Sequence, residues 1–114
     1  MKTVAENIVQ KQLDFYNNHD LEGFLSTYHN DTKIYNLGEE NTLIMDGKEV
    51  MREKYAVRLS TPGLLSVVDK RIVVGNTVID HEVVTMEGLN EPLKVAAIYE
   101  VEDGLIKTVW FVRE

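Results

Sequence analysis

The sequence has no cysteine, which excludes a disulfide framework, thiolate metal sites and a catalytic thiol. It has only 2 prolines, and 44% of its residues are hydrophobic, which together exclude a disordered chain. Apolar runs are a few residues long, so no segment is expected to span a bilayer. Positive charge is scarce, with 12 Lys and Arg against 19 Asp and Glu for a net charge of −7. That balance argues against nucleic acid, whose phosphates need cationic neutralisation, and against anionic membrane surfaces. After Lys2, Glu6, Asn7 and Gln10 interrupt any apolar stretch, so a secretory leader is not expected and the cytoplasm is the expected compartment. The 114 residues suit one domain spanning 1–114. Such a chain withdraws roughly two-thirds of its unfolded surface from water, enough for a core without covalent staples.

Helical periodicity fills the first half. Thr3 to Glu6 reads T-x-x-E, a capping box. Ala5, Ile8, Val9, Leu13, Phe15 and Tyr16 follow at helical spacing, predicting a helix over about residues 3–18. Asn17-Asn18-His19 ends it, and Asp20 caps a second helix reaching about His29, with Leu21, Phe24, Leu25 and Tyr28 on one face. A strand near 32–38, a turn at Gly38-Glu39-Glu40-Asn41 and a short strand from Thr42 to Met45 come next. Asp46-Gly47-Lys48-Glu49 reads as another capping signature, opening a third helix that presents Val50, Met51, Tyr55 and Leu59 and stops before Pro62.

From Gly63 the period changes and β-branched residues dominate. LLSVVDKRIVV, NTVIDHEVVTM, LKVAAIYEV and LIKTVWFVR are four strands. Gly75-Asn76 joins the first pair as a two-residue hairpin, and Asp103-Gly104 joins the last pair. Three helices followed by a four-strand antiparallel meander make the expected fold α+β, with the helices packed on one face of a curved sheet.

Several strings in this order resemble the nuclear-transport-factor-2-like superfamily, in its SnoaL-like and ketosteroid-isomerase-like branch. They are Phe15-Tyr16-Asn17-Asn18-His19-Asp20-Leu21-Glu22-Gly23-Phe24, Tyr28-His29-Asn30-Asp31, Asp46-Gly47-Lys48-Glu49, Arg71-Ile72-Val73-Val74-Gly75-Asn76, and the run from Ile98 to Ile106. The resemblance implies three N-terminal helices packed in a strongly curved, mainly antiparallel sheet, a cone-shaped α+β barrel wrapped round the long helix with a pocket at its open end, and a homodimer formed through the outer sheet face. It also implies that the ketosteroid isomerases' helix-1 tyrosine falls on Gln12, their base aspartate on Asn36 and their protonated aspartate on Tyr99, while a further pocket tyrosine matches at Tyr55. An amide cannot accept a proton at neutral pH, so Asn36 removes the base that ketosteroid isomerisation needs.

Other candidates come from the residues themselves. Ile8, Gln12 and Tyr16 lie four apart on one helix face, so Gln12 either bonds a neighbouring strand or faces a pocket. Tyr16 and Tyr28 are core or pocket-rim aromatics with polar tips. In the second of the four strands, Val78, Asp80, Glu82, Val84 and Met86 alternate with Thr77, Ile79, His81, Val83 and Thr85, and parity alone does not choose the inner set. The family register points Val78 inward, and hence Asp80 and Glu82. Two such carboxylates in a partly dry cavity would resist joint ionisation, making Glu82, or Asp80, the general acid or base candidate. The alternative is ordinary ion pairing with Lys70, Arg71 or Lys94. In the last hairpin Val95, Ala97, Tyr99 and Val101 are set against Ile106, Thr108, Trp110 and Val112. If these face inward, small Ala97 leaves room for a ligand beside Tyr99 and Trp110, and Tyr99 could donate to an oxyanion.

No histidines and carboxylates stand at ligand spacing on one element, and no nucleophile elbow, phosphate loop or dinucleotide fingerprint occurs. Neither a metal nor a cofactor is expected. Three functions follow as expectations: a binding domain for a compact, mostly apolar molecule with a carbonyl or hydroxyl; a cofactor-independent isomerase, cyclase or dehydratase; and a dimeric interaction module whose pocket is filled by Tyr16, Tyr28, Tyr55 and Trp110.

Overall fold

The computed structural model describes residues 2–38 and 40–113; Glu39, in the expected turn, lies outside them. The chain runs α1 (Val4–Asn17), α2 (Leu21–Leu25), β1 (Tyr28–Leu37), β2 (Asn41–Asp46), α3 (Lys48–Leu59), β3 (Leu65–Val74), β4 (Thr77–Thr85), β5 (Leu93–Glu102) and β6 (Leu105–Arg113). Thr3 caps α1, its hydroxyl accepting from the Glu6 amide at 3.0 Å. The Glu6 carboxylate turns instead toward Arg71, 3.7 Å away, so only half of the capping box forms. Thr3→Ala is expected to cost about 1 kcal/mol, read from the urea midpoint. Asp20 caps α2 through the Gly23 amide at 2.9 Å. Asp46 does not cap α3 as expected: Gly47 occupies the cap position, and the Asp46 carboxylate pairs with Lys33 at 2.6 Å.

The second helix is shorter than its periodicity predicts. Tyr28 and His29 belong to β1, because Tyr28 pairs in register with Ile106 of the last strand. Six strands form one sheet in the order β2-β1-β6-β5-β4-β3. Only β1 and β6 run parallel; the remaining pairs are antiparallel. With β2 and β3 as edges the curved sheet stays open, so the expected barrel does not close. The β5–β6 turn puts Asp103 at φ 53° and Gly104 at φ 79°, the doubly positive pair that a tight two-residue hairpin requires.

Three bulges decide which side chains face the helices, since each extra residue shifts the alternation by one. In β2, Ile34 pairs with Met45 and Tyr35 with Leu43, leaving Ile44 extra. In β3, Asp69 is extra, so Arg71 comes opposite Asp80 on the inner face. In β6, Val101 pairs with Ile106 and Glu100 with Thr108, leaving Lys107 extra. Thr108, Trp110 and Val112 are therefore on the outer face, against the expectation of uninterrupted alternation. Val109 and Phe111 replace them inside, opposite Tyr99 and Ala97. Trp110 stacks on Tyr35, ring centroids 6.1 Å apart.

The helices pack on the inner face, α1 against β3 to β6 and α3 against β1 and β2. Phe24 centres the core beneath them, with ring centroids 4.7 Å from Tyr55, 5.1 Å from Tyr28 and 5.8 Å from Tyr16. Asn17 ties the end of α1 to β3: its amide donates to the Ser66 carbonyl at 2.9 Å and accepts from the Ser66 amide at 2.8 Å. No helix among the described residues is long and apolar enough to cross a membrane.

Candidate functional site

A cavity of about 340 Å3 lies between the helices and the inner sheet face. Its buried end is formed by Gln12 and Tyr16 of α1, Ser66 of β3, Glu82 of β4 and Tyr99 of β5; Lys54 and Arg58 of α3 and Arg113 of β6 stand at the exposed end. Apolar walls come from Phe24, Met45, Val84 and Phe111, among others. The alternation of β4 places Val78, Asp80, Glu82 and Val84 inward, all buried.

The two inward carboxylates have different fates. Asp80 is 1% exposed and is gripped by Arg71, whose Nε and Nη2 donate to its two oxygens at 2.6 and 2.9 Å. Arg71 reaches on to Gln10 at 2.9 Å. Asp80 does not line the cavity, and its role is the ion pairing weighed as the alternative. Glu82 does line it and has no cationic partner among the described residues. Its oxygens accept from the Tyr99 hydroxyl at 2.8 Å and the Ser66 hydroxyl at 3.4 Å. Burial pushes the Glu82 carboxyl up to about 7; the Tyr99 hydrogen bond opposes the rise and the nearby Asp80 charge adds to it. Desolvation, more than the neighbouring carboxylate, thus puts this group near neutrality.

Because Tyr99 stabilises the ionised form, Tyr99→Phe is expected to raise the Glu82 titration midpoint further above 7, followed by carboxyl NMR. An unchanged midpoint would mean that the hydrogen bond does not act on the charge. Burial also raises the Tyr28 and Tyr99 phenols well above their usual value and raises Tyr55, so all three stay protonated as donors at neutral pH.

Of the other sequence candidates, Gln12, Tyr16 and Tyr55 line the cavity. Gln12 combines the two alternatives weighed for it: its Oε1 accepts from Tyr28 of β1 at 3.2 Å, its Nε2 donates to the Val9 carbonyl, and it also borders the cavity. Tyr28 is buried behind that amide and does not reach the cavity. Asn36 is half-buried in β1 beside Phe111; it does not line the cavity, and its Oδ1 is buried without a hydrogen-bond partner. Ala97 is fully buried with Asp80 and Phe111 as register partners, so its lack of bulk falls beside the ion pair rather than beside a ligand. Trp110 is on the outer face and does not line the cavity. Sequence reasoning missed Ser66, Lys54, Arg58, Phe111 and Arg113. The one legible signal was the Lys54–Arg58 spacing of four residues on a helix that also carries Tyr55. Among the described residues, no three His, Asp or Glu side chains converge as a metal site would need.

An open six-stranded sheet curved round three helices, with a cavity between the two layers, defines the nuclear-transport-factor-2-like class. The chain belongs to the SnoaL-like domain family, whose model matches residues 9–109. No curated protein matches the sequence significantly. A cystatin-fold protein from Novosphingobium aromaticivorans is 24% identical, with TM-score 0.85 over 99% of this chain and 100% of that one. A computationally designed 17-OHP binder is 18% identical, with TM-score 0.84 over 97% of this chain and 91% of that one. An LEH-like epoxide hydrolase from M. tuberculosis is 17% identical, with TM-score 0.79 over 97% of this chain and 83% of that one. At these identities the likenesses establish the fold.

Proposed function

We propose that the domain binds a compact, mostly apolar small molecule in this cavity, with a carbonyl or hydroxyl of that molecule set against Glu82. One observation carries this reading: an open cavity of about 340 Å3 ends on a buried carboxyl that titrates at about 7. The volume is at the small end of ligand pockets, and a few convergent polar groups on apolar walls are the usual composition of such sites. Half-protonated at neutral pH, Glu82 can donate to a carbonyl or accept from a hydroxyl. The cavity is open rather than packed by Tyr16, Tyr28, Tyr55 and Trp110, which supports a ligand reading over the interaction module. A thermal-shift screen with small lipophilic ketones and alcohols tests the proposal, since a ligand specific to the folded state raises the midpoint. Silence across a broad set would defeat it.

The Glu82 midpoint favours a second reading, proton transfer next to a carbonyl. Ionised Glu82 would take the proton from carbon. Once neutral, it no longer needs the Tyr99 hydrogen bond, and the Tyr99 hydroxyl could turn to the developing enolate oxygen. Deuterium incorporation next to the carbonyl of a bound ketone, lost in Glu82→Gln, is the signature to look for. We also place the working protein in the cytoplasm as a homodimer. The dimer is supported by the exposed apolar residues Leu65, Val67, Ile72, Leu93 and Val112 on the sheet, and light scattering at monomer mass would refute it.

A further inference from the structure

The cavity's exposed end holds three cations in a chain of net charge −7. Four arginines occur in the sequence, and they divide by location. The two outside the cavity are paired, Arg52 with Glu22 and Arg71 with Asp80. The two that line it, Arg58 and Arg113, have no carboxylate within ion-pair distance among the described residues. Arg58 has one long contact, its Nη1 3.4 Å from the Tyr16 hydroxyl, and Arg113 lies over the Phe111 ring at 5.2 Å. Lys54 stands four residues before Arg58 on α3, a spacing at which like charges repel. A surface rich in acid could have neutralised all three, and among the described residues no carboxylate does.

The cations act on the cavity interior. Both arginines oppose the burial-driven rise in the pKa of Tyr16 and of Tyr55. The far end holds the opposite kind of group, a buried carboxyl that would repel an anion once ionised. The cavity is therefore polarised along its length, cationic at the mouth and acidic within.

We propose that the ligand is a small amphipathic carboxylic acid bound head-outward, its carboxylate held by Arg58, Arg113 and Lys54, and its mostly apolar body directed inward so that the carbonyl or hydroxyl of the reading above lies at the far end, against Glu82 and Tyr99. A guanidinium presents paired donors that match the two oxygens of a carboxylate, and such charge-assisted bonds are stronger and more directional than neutral ones. The inference rests on the small-molecule reading above and narrows its ligand to acids.

The test compares three probes of nearly equal shape: gamma-phenylbutyrate, its primary amide and the corresponding methyl ketone. Calorimetric titration at pH 7 should show the acid binding about tenfold more tightly than either neutral analogue, the difference expected of a charge-assisted contact. Arg58→Gln with Arg113→Gln should remove most of the acid's preference, leaving only what Lys54 holds. Arg58→Lys keeps the charge but loses the paired donors, so it should retain more of the preference than Arg58→Gln and less than wild type, and added salt should erode what remains. An unchanged urea midpoint guards against a variant that has merely lost its fold. If amide or ketone binds as well as the acid, the head-outward acid is overturned and the small-molecule reading survives. If no probe binds while a neutral ligand emerges from the broad screen, the acid inference falls alone; if that screen is also silent, both fall.

Discussion

Glu82→Gln is expected to make the protein more stable than wild type at pH 8, by up to about 3 kcal/mol, and equal to it near pH 4. The cause is the distance between two titrations of one group. In the unfolded chain this carboxyl ionises near 4.5, and in the folded protein near 7. Below 4.5 both states keep the proton, and the stability of the neutral group is fully present. Between 4.5 and 7 the folded protein holds a proton that the unfolded chain has released, so rising pH favours unfolding. Above 7 the buried group is ionised as well and the loss is complete. Each unit of difference corresponds to about 1.4 kcal/mol, which gives the stated magnitude. Glutamine has the shape of the protonated acid, with one oxygen to accept from Tyr99 and a donor in place of the acid's own hydroxyl on the Ser66 side, and has nothing to titrate. Urea unfolding of both proteins from pH 4 to pH 8 measures the effect, and parallel stability curves across that range would show that burial has not moved the group.

The second large effect concerns the other carboxylate. Arg71→Leu is expected to cost about 3–5 kcal/mol at pH 7, the range seen when one member of a buried ion pair is removed. Asp80, 1% exposed, would be left with a desolvated charge and no partner for either oxygen. Arg71 also binds Gln10 of α1, so the variant loosens the first helix from the sheet. Replacing both members, Arg71→Leu with Asp80→Leu, is expected to recover most of the loss, because the cost lies in the orphaned charge more than in the missing attraction. A single-variant loss under about 1 kcal/mol in urea would mean that water reaches Asp80.

What the sequence disclosed and what it hid differ in range along the chain. Caps and tight turns are decided by residues a few positions apart, so Thr3, Asp20, Gly75 and the Asp103-Gly104 pair could be read directly. The limit of α2 could not, because Tyr28 continues the helical spacing from Phe24 and only the far end of the chain, at Ile106, claims it for the sheet. Alternation placed Asp80 and Glu82 on one face but did not separate them: the bulge at Asp69, visible only across strands, turns Arg71 toward one carboxylate and leaves the other to the cavity. The same kind of event at Lys107 moved Trp110 outside and Phe111 inside. The cations at the mouth were missed for another reason. On an amphipathic helix and at a strand end, lysine and arginine read as solvent-facing residues, and these partly are.

On the small-molecule reading proposed above, the buried pair of Arg71 and Asp80 would bear on ligand length. Along β4 it occupies the inner face just beyond Glu82, between the sheet and α1. A ligand that extended past Glu82 would meet a desolvated ion pair there, where an apolar wall could shift a rotamer to make room. Displacing one of those charges costs far more than moving a methyl group. For the ligand proposed above, the ion pair behind the cavity's inner end would therefore set a limit on length that repacking does not easily relax.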